Sequence, residues 1–179
     1  MKCLTISESR TWLESTGLEI DENRHLISKH IKKKILTTIP TTALPLHYYC
    51  LRLVDWLPKD QCRFFWMTRW DSYPPEQIAL LEQIRVGSAG AKAVIDTPGH
   101  LFEGNNTQDA TLLTGLTFLN LVFNWDAYII VSGLNEWIHL GDECVAFYST
   151  GTERMKSLAE LTNSFKLKTI SNVKEAWEK

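Results

Sequence analysis

The chain has 179 residues, of which 44% are hydrophobic and 22% are charged, and its formal net charge is −2 at pH 7. These values are ordinary for one globular domain and give no electrostatic reason to expect binding to nucleic acid or to an anionic membrane. The start of the chain lacks the apolar core of a secretory signal, and no stretch approaches the roughly 18 apolar residues of a membrane span. The sequence therefore predicts a cytoplasmic protein without a membrane partner.

The spacing of cysteines and histidines matches no metal or redox motif. The four cysteines, at positions 3, 50, 62 and 144, form no C-x-x-C pair and have largely apolar neighbours. That pattern is typical of free thiols in a reducing compartment. The five histidines form no H-E-x-x-H or similar ligand pattern. The sequence predicts no metal and no cofactor.

The first forty residues contain short elements. Thr5 and Glu8 match a capping box, which predicts a helix that begins near Glu8 and ends before Gly17. A small hairpin is expected next, with strands at about 18–20 and 25–28. The following stretch holds four lysines, but no arginine or aromatic residue alternates with them, as a nucleic-acid surface would require. We interpret it as a solvated strand edge or helix face.

The middle of the chain predicts alternating helices and strands. Pro45 suits the first position of a helix that ends at Leu57, before Pro58. Residues 62–70 carry large apolar side chains at both alternating sets of positions, which indicates a strand covered on both faces. Pro75 opens a further helix of about ten residues, and residues 92–96 are a candidate short strand.

Residues 97–106 form the most irregular stretch, rich in glycine, proline and asparagine. Such loops often carry functional residues on a rigid scaffold. His100 and Glu103 lie in this stretch, and Asp96 precedes it. We take these three residues as the candidate catalytic group, because an imidazole and two carboxylates can form an acid–base pair or hold a metal. The alternative is an ordinary loop histidine on an exposed turn.

A helix capped by Thr107 is expected to run to about Asn124, and a β-meander follows at about 127–148. Its last hairpin turn is predicted at Gly141-Asp142, which pairs Ile138 with Val145 and Trp137 with Ala146. Leu140 and Phe147 then share a face with Ile138 and Val145. This register keeps Glu136 and Glu143 out of the interior. A helix at about 153–163 is expected after the meander.

Four residues of the meander are candidates for binding a partner. Asp142 and Glu143 form an acidic hairpin tip, and Trp137 and His139 share one face of the strand that precedes it. Each also has an ordinary structural interpretation, since acidic residues are common in turns and a histidine between apolar residues is often part of a core.

Together these patterns predict an α+β fold in one domain (1–179), with a mainly antiparallel sheet, the C-terminal meander and several helices packed on it. Residues 1–40 could form a small N-terminal appendage. For function, we favour a non-catalytic cytosolic protein that binds another protein, of the bacterial immunity or adaptor type, because no catalytic motif is present and seven tryptophans are available for core and interface. The alternative is a small hydrolase or metal-assisted enzyme centred on His100.

Overall fold

The computed structural model of the protein describes residues 1–20, 26–27, 33–68, 73–103, 106–134, 136–141, 143–149 and 151–170. These residues form five helices on an eight-stranded antiparallel sheet, together with a separate two-stranded hairpin. The α+β fold with a mainly antiparallel sheet is therefore confirmed. The strands are β1 (Lys2–Leu4), β2 (Glu19–Ile20), β3 (Leu26–Ile27), β4 (Lys33–Thr38), β5 (Arg63–Met67), β6 (Gly99–Phe102), β7 (Ala127–Val131), β8 (Glu136–Gly141), β9 (Cys144–Ser149) and β10 (Thr169–Ile170), and the helices are α1 (Ile6–Ser15), α2 (Ala43–Trp56), α3 (Pro75–Ile84), α4 (Thr107–Val122) and α5 (Thr152–Ser164).

The strand order of the large sheet is β1-β6-β5-β7-β8-β9-β4-β10. The meander β7-β8-β9 lies inside it, as expected for strands that are apolar on both faces. Strands β1 and β4, from the first forty residues, pair with β6 and β9 of the same sheet. The lysine-rich segment thus contributes Lys33 and Lys34 to β4, while residues 29–32 lie outside the described residues.

Helices cover both faces of the sheet. One face carries Phe65 and Phe147, and α2 packs on it through the edge-to-face contact of Trp56 with Phe147, at 5.7 Å between ring centroids. Helices α4 and α5 contact this side through β8 and β9. The other face carries Phe64, whose ring lies 4.6 Å from that of Trp12 on α1. Helices therefore lie on both sides of the sheet, and α1 is the helix that contacts the Phe64 face.

The predicted capping box at the start of α1 is confirmed, although α1 begins at Ile6, two residues before the predicted Glu8. The side chain of Thr5 accepts a hydrogen bond from the backbone N–H of Glu8, and the Glu8 carboxylate accepts one from the backbone N–H of Thr5. This is the reciprocal capping box. Gly17, just past the helix, has φ +75°, a conformation that residues with a Cβ rarely adopt. The hairpin β2–β3 after it is also confirmed.

Four local expectations were wrong. Helix α4 is capped by Asn106 rather than by Thr107, because the Asn106 side chain accepts the hydrogen bond from the Asp109 N–H. Residues 99–102 are not in a loop but form β6, because β1 and β5 satisfy its backbone from both sides. The packing against β5 leaves no room for a side chain at Gly99, since a Cβ there would lie 2.8 Å from the Phe64 ring. Residues 92–96 form no strand and end in a turn. Helix α2 begins at Ala43, two residues before Pro45.

The register of the last hairpin also differs from the predicted one. Ile138 lies opposite Phe147 and Trp137 lies opposite Tyr148, so the two-residue turn falls at positions 142–143. Glu143 has φ +58°, as the second residue of a tight hairpin turn requires. The residues that were predicted to share a face of the sheet still do so. The error moves each cross-strand partner by two residues, and side chains alternate between the faces with a period of two.

Candidate functional site

His100 lies in the interior rather than on a functional loop. It is fully buried on β6, and its ring makes an edge contact with Phe65 at 5.8 Å between centroids. Glu103 and Asp96 are both exposed. The three candidate catalytic side chains therefore do not converge on one accessible site.

The surroundings of His100 keep its imidazole neutral. The pKa of His100 is lowered to about 3, mainly by burial and also by the positive charge of Arg85, while the backbone of Phe65 and Pro98 opposes the shift. An imidazole with so low a pKa does not take up a second ring proton near neutral pH, so it is a poor general acid or base there.

The groups that do lie near His100 come from distant parts of the chain. Cys3 is its cross-strand partner in the β1–β6 pair. Arg85, itself buried, donates from Nε to the sulfur of Cys3 at 3.3 Å and from a terminal nitrogen to both the carbonyl and the hydroxyl of Thr97. No carboxylate within the described residues forms an ion pair with Arg85. Sequence spacing gave no signal for this cluster, because its members are joined only through the sheet.

The second histidine candidate, His139, has a carboxylate partner. Its Nε2 lies 2.5 Å from Oδ1 of Asp126, and its ring stacks on Tyr128 at 4.6 Å between centroids. The side chains of His139 and Asp126 are 10% and 19% exposed. Sequence reasoning missed Asp126, although β7 begins directly after it and Ala127 lies opposite Leu140. The correct register would have brought Asp126 beside residues 139–141.

Asp126 is held in place by its backbone as well as by its side chain. Its carbonyl accepts hydrogen bonds from Thr68 and from the hydroxyl of Tyr73, and that hydroxyl accepts one from the Asp126 N–H. Gly141 leaves room for the pair, because a Cβ there would lie 3.3 Å from the Asp126 carboxylate. The arrangement orients the imidazole, which is what a carboxylate does for a histidine in many sites.

The other binding candidates are divided between the interior and the surface. Trp137 is buried and stacks on Tyr148 at 4.9 Å between centroids. Glu143 is exposed, and its backbone N–H donates to the Asn124 side chain. Asp142 lies outside the described residues. Among the residues that the structure describes, no group of three or more histidine, cysteine or acidic side chains is placed to hold a metal ion.

Glu136 is a buried carboxylate, contrary to the expectation that it would stay out of the interior. Its two oxygens accept hydrogen bonds from Ser149 Oγ at 2.5 Å and from Arg154 Nε at 3.1 Å. Arg154 also donates to the carbonyl of Trp56, and its guanidinium lies 3.9 Å above the Trp56 ring. A buried carboxylate is tolerated when it is paired and hydrogen-bonded in this way. These contacts link α2 and α5 to strands β8 and β9 of the sheet.

The most distinctive surface feature is an apolar area on α2 and α4. Leu44, Tyr48 and Leu51 are 64%, 55% and 37% exposed, and their spacing places them on one outward face of α2. The neighbouring helix α4 contributes a second outward row, which includes Gly115, Phe118 and Val122. We call this area the α2–α4 surface and define it as Leu44, His47, Tyr48, Leu51, Gly115, Phe118 and Val122.

The two rows of the α2–α4 surface are in contact. The His47 ring on α2 meets the Phe118 ring on α4 edge to face, at 5.6 Å between centroids. Val122, one turn further along α4, is 46% exposed. Gly115 lies on the same outward row, and a Cβ there would meet nothing within 4 Å. The helical spacing predicts the buried face of α2, and the exposed row lies on the opposite face of the same helix.

This surface is also free of formal charge. No Asp, Glu, Lys or Arg occurs between Lys34 and Arg52, or between Asp109 and Asp126. On α2, the charged side chains Arg52 and Asp55 lie in the last turns of the helix and are exposed. An apolar centre with a charged margin is the usual anatomy of a protein interface.

Comparisons with known proteins return no relatives. No family model matches the chain, no curated protein matches it, and no solved structure matches it. Among the described residues, no helix combines the length and the apolar character needed to cross a bilayer.

Proposed function

We propose that the protein is a non-catalytic cytoplasmic binding protein, of adaptor or immunity type, which binds another protein chain through the α2–α4 surface. The observation that carries the proposal is the continuous exposure of Leu44, Tyr48 and Leu51 on one helix face. Exposed apolar side chains that are contiguous, rather than scattered, mark binding surfaces. Tyr48 supplies the aromatic side chain that is enriched at the energetic centre of interfaces.

The aromatic contribution comes from Tyr48 and Phe118 rather than from tryptophan. The five tryptophans within the described residues, at positions 12, 56, 66, 125 and 137, are buried or half-buried. They belong to the packing of the sheet and helices.

A lipid surface is a poorer match than a protein. Helices that lie on membranes carry Lys and Arg beside their apolar face, because anionic headgroups attract them. The uncharged stretches of α2 and α4 offer no such residue.

Chemistry at His100 is also disfavoured by the geometry. The imidazole is buried and neutral, and the carboxylates of Glu103 and Asp96 lie at the surface. Binding therefore accounts for more of the exposed features than catalysis does.

The test is a capture experiment with matched variants. Tagged protein, Tyr48→Lys and Val122→Lys are compared in lysate of the source cells, with Val86→Lys as the control. Val86 is 74% exposed and lies outside the α2–α4 surface. We expect one stoichiometric protein to be recovered with the parent and the control and to be reduced at least about tenfold, or about 1.4 kcal/mol, by the two surface variants. Equal recovery with all four proteins would contradict the assignment of the surface.

A further inference from the structure

We infer that one edge of the large sheet is a pH-sensitive element, which opens in acid while the rest of the sheet stays paired. We call this element the β1 edge and define it as strand β1 together with residues 85–97. The two parts are joined through their backbones, because the Cys3 N–H donates to the carbonyl of Ala89 at 2.7 Å and Lys2 forms a bridge to the same residue. The inference does not depend on the α2–α4 surface.

The β1 edge is packed more loosely than the centre of the sheet. Strand β1 has three residues and is the outermost strand. Between positions 86 and 96, only Val94 is buried, whereas every residue of β5 and β7 is buried. Segments with few buried apolar side chains open locally at a lower free energy than core strands do. We therefore expect the β1 edge to open before the rest of the sheet.

The β1 edge covers a buried imidazole and a buried guanidinium. His100 lies opposite Cys3 in the β1–β6 pair, and Arg85 donates to the Cys3 sulfur and to Thr97. The side chains of His100 and Arg85 are at most 1% exposed. Arginine stays charged in proteins, so a second ring proton on His100 would place another positive charge in the same interior. The closed edge excludes this proton, and the open edge, where water reaches the ring, accepts it.

The other charged groups around the β1 edge do not compensate for such a proton. Three of them lie on the neighbouring elements, namely Arg63 on β5, Glu82 on α3 and Asp109 on α4. Glu82 accepts a hydrogen bond from the Val94 N–H, and Asp109 pairs with the amino group of Met1. The charged side chains of the edge itself that are exposed are Lys2, Lys92 and Asp96. His100 is therefore the group on which we expect the pH dependence of the opening to rest.

The size of the effect follows from linkage. The pKa of His100 is about 3 in the closed protein, against an ordinary value of 6.5. The ratio of open to closed protein should then rise about 25-fold between pH 7 and pH 5. This factor applies to any opening that exposes His100, including complete unfolding. Urea separates the two cases, because the sensitivity of an opening to urea scales with the surface that it exposes.

The test measures how strongly the folded structure protects each of the four thiols. The protein is labelled briefly with dithiodipyridine, a disulfide reagent that also reacts in acid, and the labelled cysteines are identified by mass spectrometry. The protection of a cysteine is its labelling rate in the unfolded chain divided by its rate in the native protein at the same pH. Rates are compared at pH 7 and pH 5, in urea concentrations below the unfolding transition.

We expect Cys3 and Cys50 to behave differently. The protection of Cys3 should be the lower of the two, should fall about 25-fold between pH 7 and pH 5 and should change little with urea. Cys50 lies in α2 and should show the steep urea dependence of complete unfolding. His100→Gln should remove most of the fall in Cys3 protection. His47→Gln, at an exposed histidine, is the matched control and should leave that fall unchanged.

Two results with the parent protein would overturn the inference. One is equal protection of Cys3 and Cys50 with the same steep urea dependence, because the β1 edge would then open only when the whole chain unfolds. The other is a protection of Cys3 that does not change with pH. Both results are independent of the variants, so the test remains decisive even where His100→Gln does not fold. A folded His100→Gln protein that keeps the full pH dependence would also contradict the role of His100.

Discussion

The imidazole of His139 and the carboxylate of Asp126 form one hydrogen-bonded pair, with 2.5 Å between Nε2 and Oδ1. Both side chains are largely shielded from water, and a hydrogen bond to a charged group in such a place is worth about 1.5–3 kcal/mol. We expect a double-mutant cycle with Asp126→Ala and His139→Phe to show a coupling free energy of about that size in urea unfolding. Coupling within error of zero would show that the contact does not contribute to stability.

The stability of the protein should fall in acid because of His100. Its pKa is about 3 in the folded protein, against an ordinary value of 6.5. Between these two pH values the imidazole of His100 is protonated in the unfolded chain but not in the folded chain, so acid favours unfolding. The free energy of unfolding should decrease by up to about 1.4 kcal/mol per pH unit from this residue. His100→Gln should show a shallower dependence over that window, and an identical slope would exclude the assignment.

Asn120 should limit the stability of α4. Its amide is fully buried, and neither its nitrogen nor its oxygen has a hydrogen-bond partner in the described part of the chain. A buried polar group without a partner costs about 1–3 kcal/mol. Asn120→Leu should therefore raise the free energy of unfolding by about 1 kcal/mol. Thr117→Val is the matched control and should give no comparable gain, since the Thr117 hydroxyl already donates to the carbonyl of Leu113 at 2.7 Å.

Two glycines should respond to alanine in opposite directions. Gly99→Ala places a methyl group 2.8 Å from the Phe64 ring, and overpacking of this kind costs about 1–3 kcal/mol. Gly115→Ala meets nothing within 4 Å and should stabilise the isolated chain by about 0.5–1 kcal/mol. Both are measured by chemical unfolding at low protein concentration. Equal effects at the two positions would contradict the packing described for β5 and β6.

The thiols should differ sharply in reactivity. Cys62 is half-buried, whereas Cys3, Cys50 and Cys144 are at most 4% exposed, and burial raises the pKa of Cys50 to about 12. The thiolate is the reactive form. A thiol reagent at neutral pH should react with one thiol in the folded protein and with four after unfolding. In Cys62→Ser the rapidly reacting thiol of the folded protein should be absent. Rapid reaction of Cys50 would show that its helix opens.

The parts of the fold that local patterns determine were predictable from the sequence. The capping of α1 depends on Thr5 and Glu8, which are three residues apart, and the faces of β8 and β9 depend on simple alternation. Strand β6 was missed because its identity comes from β1 and β5, which are distant in sequence. The hairpin register was missed because it depends on which two residues form the turn.

The candidate site was less predictable for the same reason. His100 was predicted as a candidate catalytic residue on a loop, but it lies buried on β6, and its neighbours Cys3 and Arg85 are brought to it only by the folded sheet. Asp126 pairs with His139 across two strands. The exposed row of α2 could have been found, since Leu44, Tyr48 and Leu51 follow the same helical spacing as the buried residues.

The position of β4 has a consequence for synthesis of the chain. Ile35 pairs with Phe147 and Leu36 with Ile170, so β4 leaves the ribosome more than a hundred residues before the strands that flank it. At about 5–20 residues per second, this strand waits several seconds or longer without a partner. We expect Lys33 and Lys34 at its start to disfavour pairing with other chains during that interval, because charged residues oppose strand addition. A lysine-rich segment that resembles a binding motif would then protect the chain while it is being made.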